Sequence, residues 1–200
     1  MNRIDFYRTI NNMIIKDKEK KKLIFYDFRE NYYDMKKDKV RIGIKKCDHK
    51  KFKILEKKIN NKFDIIDMRM SLVYGFHNKD ERKELFYFIN KMGSNRCKIF
   101  LFINNEVDIE KNSKNTEIIN KGDQVWIPQY DGEGTIKEII VKDEEGSEKQ
   151  YCYNFKELEK ELKEYNLIIK EEYSLENLSK KIETKCNFIG EYILQLERNI

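Results

Sequence analysis

The stretch "KLIFYDFRENYYDMKKDKVRIGI", Lys22 to Ile44, reads as an apolar strand, a charged turn and a second strand. In nucleotide-binding α/β proteins, the loop leaving such a first strand carries glycines. They let the backbone approach a ligand closely and adopt positive φ. No glycine occurs between Asp27 and Asp38. The loop reads Asp27-Phe28-Arg29-Glu30-Asn31-Tyr32-Tyr33-Asp34. Holding an ordinary residue in the left-handed region costs about 1–2 kcal/mol. Asn31 tolerates that conformation, whereas Arg29 brings bulk and charge. The stretch therefore poses a choice between a binding fold whose binding loop is overwritten and a different fold.

Metal chemistry has little support in the sequence. Cys47, Cys97, Cys152 and Cys186 lie far apart, no Cys-x-x-Cys occurs, and the histidines are His49 and His77. A zinc site needs a tighter cluster. Free thiols in a reducing compartment, with no metal, are the expectation. The start, "MNRIDFYRTINN", lacks the apolar core of a signal peptide, and no apolar run approaches membrane-spanning length. A soluble, intracellular protein of the cytoplasm with no membrane partner is expected.

The chain has 200 residues, 40% of them hydrophobic and 12% aromatic, enough for a real core in a single domain over 1–200. Its net charge of +5 comes from 41 basic and 36 acidic residues. That is a mixed, solubilising surface, which permits RNA binding without indicating it. No low-complexity block or internal repeat marks a boundary.

Helices and strands alternate through the first half. "YRTINNMIIK" has helical spacing, "LIFYDF" and "KVRIGIKKC" read as strands, and Phe52, Leu55 and Ile59 share a helical face that ends at Asn60-Asn61. "FDIIDMRMSLVY" is a third strand with its exit loop. Asn78 and Glu81 mark the start of a helix whose apolar face is Leu85, Phe86, Ile89 and Met92, with Gly93 as its stop. "CKIFLFIN" is apolar enough for a central parallel strand. A polar loop or short helix follows. "QVWIPQY", "TIKEIIVK" and "KQYCYNF" then read as strands or hairpin arms, and Asn154 with Glu157 opens another helix. "NLIIKEEY" and "EYILQLE" close the chain as strands around a weak helix. This order predicts a doubly wound α/β domain: a Rossmann-like, mostly parallel sheet with an antiparallel C-terminal edge.

The stretch "KFDIIDMRMSLVYGFHNKDERKELFYFINKMGSNRCKIFLFINNEVDI" resembles the mRNA cap guanine-N7 methyltransferases, in the pattern of the methyltransferase domain of poxvirus-type capping enzymes. "RTINNMIIK" is similar to the family's N-terminal helix, with one extra residue before Lys16. "QYCYNFKELEKELKEYNLIIKEEY" is similar to a later family segment. The resemblance is collinear over nearly the whole chain. It implies a class I methyltransferase fold, S-adenosylmethionine as methyl donor and N7 of the cap guanine as acceptor. It also implies a mechanism that aligns two substrates and needs no catalytic dyad, so no catalytic residue is expected.

Carried over by position, the resemblance implies cofactor contacts at Lys16, Asp27, Arg29, Asp48 and Arg69. It implies cap contacts at Tyr74, Phe76, Gln150 and Tyr151. The departures fall on both groups. Arg29 and Asn31 replace the family's glycines. Lys46 stands where an acidic residue holds the ribose, with Asp48 two positions later; a lysine there offers donors but no acceptor. Val73 replaces a histidine, Arg69 a glutamine and Met70 a phenylalanine. Gln150 replaces a glutamate that suits a base made cationic by methylation. The family strand before "FDIID" has only Asn60-Asn61-Lys62 in its place. With so many departures, Tyr32, Tyr33, Tyr74 and Phe76 read as core or filler side chains in preference to ligand contacts.

Three readings stand. The first is a catalytically degenerate methyltransferase-fold protein, acting as a stimulatory or structural capping-enzyme subunit or as an RNA-binding one, in a virus-associated cytoplasmic setting. The second is an active cap guanine-N7 methyltransferase. The third is an unrelated α/β protein-interaction domain, in which "KGDQVWIPQYDGEGTIKEIIVK" forms a small barrel. A structure in which Leu23 to Phe28 and Ile65 to Met68 are not parallel neighbours in one sheet favours the third.

Overall fold

The structure is a computed structural model. It describes residues 3–14, 20–26, 32–36, 39–43, 50–68, 73, 76, 78–113, 118–122, 124–144, 146–182, 184 and 186–199. The chain groups into two compact units, each drawn from three separate segments. One contains residues 19–103, 155–172 and 193–200; the other contains residues 1–18, 104–154 and 173–192.

The first unit is built on a parallel sheet. Strands β1 (Lys22–Tyr26), β3 (Lys39–Gly43), β4 (Phe63–Met68) and β5 (Gly93–Asn105) run in the order β3-β1-β4-β5, all parallel. Leu23 sits opposite Val40 on one side and Ile66 on the other. The parallel neighbours whose absence favours the interaction-domain reading are therefore present. The strand β2 (Tyr32–Lys36) forms the far edge, antiparallel to β3. Past β5 the strand β11 (Glu191–Arg198) comes next, followed by β10 (Leu167–Ser174).

Two sequence expectations bear on this edge. Among the described residues no helix joins β1 to β3, because β1 ends at Tyr26 and the next element is β2. Residues 59–62, between helix α2 (Lys50–Lys58) and β4, contain no strand. The element expected to be missing before "FDIID" is absent there, and the antiparallel β2 holds the place beside β3.

Helices α2 and α3 (Lys79–Met92) pack together on the sheet. Phe52 lies against Phe88 at 4.9 Å between ring centroids, and Phe88 meets Phe25 of β1 edge-on at 6.3 Å. Leu85, Phe86, Ile89 and Met92 are buried, as their spacing predicts. Asn78 caps α3 by accepting the Glu81 N–H at 2.8 Å. Gly93 ends the helix as expected, its N–H donating to the Ile89 carbonyl, but its φ is −70°, not left-handed, and it also opens β5. A Cβ there would meet Cys97 Cβ at 3.0 Å, so close approach explains the glycine better than a left-handed helix stop. From Ile99 to Asn105 every residue of β5 is buried, which a strand with a single covered face does not show.

The second unit is an antiparallel meander of β6 (Ile119–Asn120), β7 (Val125–Tyr130), β8 (Ile136–Asp143) and β9 (Gly146–Tyr153). The last residues of β5 pair parallel with β9, Asn104 opposite Cys152. Its core gathers Ile109, Ile119, Trp126, Ile136, Ile139, Val141 and Cys152. Helix α4 (Glu106–Ser113) supplies Ile109 and follows β5 directly. Helix α1 (Arg3–Ile14) stacks Phe6 on Phe188 at 4.4 Å.

Candidate functional site

In open α/β sheets, ligands bind beyond the carboxyl ends of the parallel strands. Here those ends are Tyr26, Gly43 and Met68. Lys16, Asp27, Arg29, Asp48, Arg69 and Tyr74 lie outside the described residues. Of the expected site residues, Phe76, Gln150 and Tyr151 are placed.

The sheet puts one carboxylate near the middle of this region. Asp67 of β4 sits in register between Ile24 of β1 and Phe100 of β5 and is 8% exposed. Its position follows from strand alternation, which turns Asp67 to the face opposite Ile66 and Met68.

Phe76 is fully buried, and its ring stacks on Phe52 at 6.0 Å with an interplanar angle of 29°. Its carbonyl accepts from Arg82 Nη1 at 3.3 Å. The Arg82 Nε–H reaches both oxygens of Glu161 at 3.1 and 3.0 Å. Glu161 belongs to helix α5 (Phe155–Glu164). One guanidinium thus ties the Phe76 carbonyl to α3 and α5. In this arrangement the Phe76 ring is part of the aromatic core formed with Phe52 and Phe88 and has no exposed face.

In the other unit Gln150 is 5% exposed, and both ends of its amide are engaged. Its Oε1 accepts from Asn104 Nδ2 at 3.1 Å, and its Nε2 donates to Glu148 Oε1 at 3.1 Å. Tyr151 is half-buried, and its carbonyl lies 3.4 Å from Asn104 Nδ2. Asn104 is completely buried, and its Oδ1 has no hydrogen-bond partner among the described residues. A buried acceptor left unmatched costs about 1–3 kcal/mol. Sequence reading passed over Asn104. The signal was available in "FLFINNEVD", where two amides interrupt an otherwise apolar strand at its carboxyl end.

A second buried cluster also escaped notice. Glu191 pairs with Arg3 at 2.8 Å and with Lys121. Lys121 also donates to the Ile189 carbonyl at 3.2 Å, and its ammonium lies 3.3 Å from the centroid of the Trp126 ring. Burial pushes the Lys121 ammonium down to about 8, against the attraction of Glu191. Three residues so distant in sequence give no local pattern to read.

The two buried thiols, Cys97 and Cys152, are inert in character. Burial pushes Cys97 up to about 12 and also raises Cys152, which removes the thiolate that nucleophilic chemistry needs. Among the described residues no group of three or more His, Cys, Asp or Glu side chains is placed to hold a metal ion. No described helix is long and apolar enough to cross a membrane.

No family model and no curated protein matches the chain. Solved structures do. An S-adenosylmethionine-dependent methyltransferase from Clostridium acetobutylicum superposes with a TM-score of 0.52 at 13% identity, covering 100% of both chains. The CcbJ methyltransferase from Streptomyces caelestis gives 0.56 at 8% identity, over 98% of this chain and 90% of its own. The PH0226 protein from Pyrococcus horikoshii gives 0.54 at 12% identity, over 98% and 89%. At such identities the likeness carries the fold alone. With the parallel order β3-β1-β4-β5 and its antiparallel edges, it establishes that this chain has the Rossmann-like class I methyltransferase fold.

Proposed function

We propose that this chain is a catalytically degenerate methyltransferase-fold protein that serves as a non-catalytic subunit in mRNA capping. The observation that carries the reading is the element after β1. A cofactor cradle of this fold class is a glycine turn leading from the first strand into a helix. Among the described residues the element after β1 is the strand β2, and no glycine stands between Asp27 and Asp38 in the sequence. Both observations support a reading in which this end of the sheet does not hold S-adenosylmethionine. The burial of Phe76 and the engaged amide of Gln150 support the same reading on the acceptor side. The capping role itself rests on the collinear resemblance to cap guanine-N7 methyltransferases.

Isothermal titration with S-adenosylmethionine is expected to give no saturable heat. Tritium transfer to GpppRNA is expected to stay at background while a known cap methyltransferase runs as control. Binding at micromolar strength, about −8 kcal/mol, together with turnover overturns the reading. It would establish the alternative, an active cap guanine-N7 methyltransferase. That alternative draws support from the coverage of two methyltransferase chains at 90–100% of their length.

A further inference from the structure

Helices α2 and α3 leave a groove of about 320 Å³ between them, lined by Phe52, Lys53, Glu56, Lys57, Glu84, Tyr87 and Phe88. Its floor is aromatic, since Phe52 and Phe88 lie 4.9 Å apart beneath it. Its lining includes one large exposed aromatic side chain, Tyr87, at 54%. Such a residue singly is ordinary on a surface. Here it flanks a concavity that already has an apolar floor.

Two lysines, Lys53 and Lys57, and two glutamates, Glu56 and Glu84, line the groove. Lys53, Lys57 and Lys58 are exposed on α2, and Lys83 is exposed on α3 one turn before Tyr87. None of these four lysines forms an ion pair with a described residue. Of the acidic neighbours, Glu56 is taken up by Lys91, which leaves Glu84 as the groove's unpaired carboxylate. The lysines therefore present net positive charge around an apolar slot.

We propose that this groove docks an acidic segment of a partner protein, with one large apolar side chain on the Phe52–Phe88 floor and carboxylates meeting Lys53 and Lys57. The proposal deepens the subunit reading and rests on it, because a fold that acts without its own cofactor must act through a partner. The groove's size is at the bottom of the range of ligand pockets, roughly 300–1,000 Å³, which suits one anchoring side chain. A second copy of the chain is a poor occupant, since a two-fold contact would set α2 lysines against α2 lysines. Single-stranded RNA is also a poor occupant. It needs successive exposed rings on which bases stack, and Tyr87 is the exposed ring of these two helices.

Fluorescence anisotropy of the full chain with labelled peptides of ~12 residues tests this. One peptide carries a central phenylalanine among glutamates, and its control carries serine at the centre. Labelled oligouridylate is run beside them. The phenylalanine peptide is expected to bind saturably, to shift the Phe52, Phe88 and Tyr87 ring resonances, and to weaken with salt. Binding is expected to fall at least about tenfold in Lys53→Glu/Lys57→Glu and in Tyr87→Ser. All three positions are exposed, and circular dichroism checks that the variants fold. Equal binding of the serine peptide, tighter binding of the RNA, absence of binding, or ring shifts elsewhere each overturn the proposal. Methyl transfer is not read in this experiment, so its failure is distinct from the discovery of catalytic activity.

Discussion

Replacing Glu191 by alanine is expected to remove about 3–5 kcal/mol of stability from the meander unit. Glu191 is 2% exposed and is the shared anion of Arg3 and Lys121. Lys121 is wholly buried, and Arg3 is 7% exposed. Without the carboxylate, two cations in a low-dielectric interior lose their shared anion, while the Ile189 and Asn187 carbonyls still accept from Lys121 and Arg3. The aromatic faces of Trp126 and Phe188 help, but a cation–π contact contributes only about 2 kcal/mol when desolvated. Glu191→Gln is expected to cost less, because it keeps acceptors for both donors. Urea unfolding followed by the fluorescence of Trp126 measures the difference. A loss below ~1 kcal/mol for the alanine variant would show that water reaches the cluster and solvates the cations.

The same cluster makes stability depend on pH in a known direction. Burial lowers Lys121 to about 8 in the folded chain, against about 10.4 when unfolded. Between those values the unfolded state binds the extra proton, so stability from this group rises with pH. Its contribution is complete above about 10.4 and is lost as pH falls through about 8. Buried thiols act oppositely. The raised Cys152 contributes stability below the ordinary thiol value of about 8.5 and loses it above. Comparing the parent with Lys121→Met isolates the lysine. The parent is expected to gain on the variant from pH 8 to pH 10.4 by on the order of 3 kcal/mol. A flat difference across that window would mean that Lys121 titrates as a solvated lysine.

What the sequence revealed follows from how local each signal is. The strands β1, β4 and β5 announce themselves by apolar runs, and α3 by its cap and its apolar spacing at Leu85, Phe86, Ile89 and Met92. Their parallel order follows from alternation with helices. The strand β2 gave no such signal, because "YYDMK" alternates no clear apolar face and its pairing with β3 is set by the sheet. Gly93 illustrates a different gap: a glycine after a helix suggests a stop, yet the reason for this one is Cys97, a contact made only when β5 is in place. The candidate site divides in the same way. Departures from the glycine pattern are visible in a line of text. The pairing of Gln150 with Asn104 joins residues brought together by β5 and β9, and no spacing rule links them.

Arg82→Met is expected to destabilise the parallel unit by about 2–3 kcal/mol, somewhat below the value for a fully buried pair. Arg82 and Glu161 have side chains 15% and 9% exposed, so some solvent screening remains. Removing the guanidinium strands the Glu161 carboxylate against α3 and also takes away the Nη1 donor to the Phe76 carbonyl. The second loss gives the effect a local signature. Phe76 is held over Phe52 partly through that carbonyl, so its ring is expected to leave the stack, changing the ring-current shifts of Phe52. Arg82→Lys is expected to restore charge without the two-pronged geometry, recovering part of the stability and little of the Phe76 signal. If the methionine variant loses stability while the Phe52 shifts stay unchanged, Arg82 serves only to join α3 to α5. If both change together, one guanidinium fixes Phe76 in the aromatic core as well as joining α3 to α5.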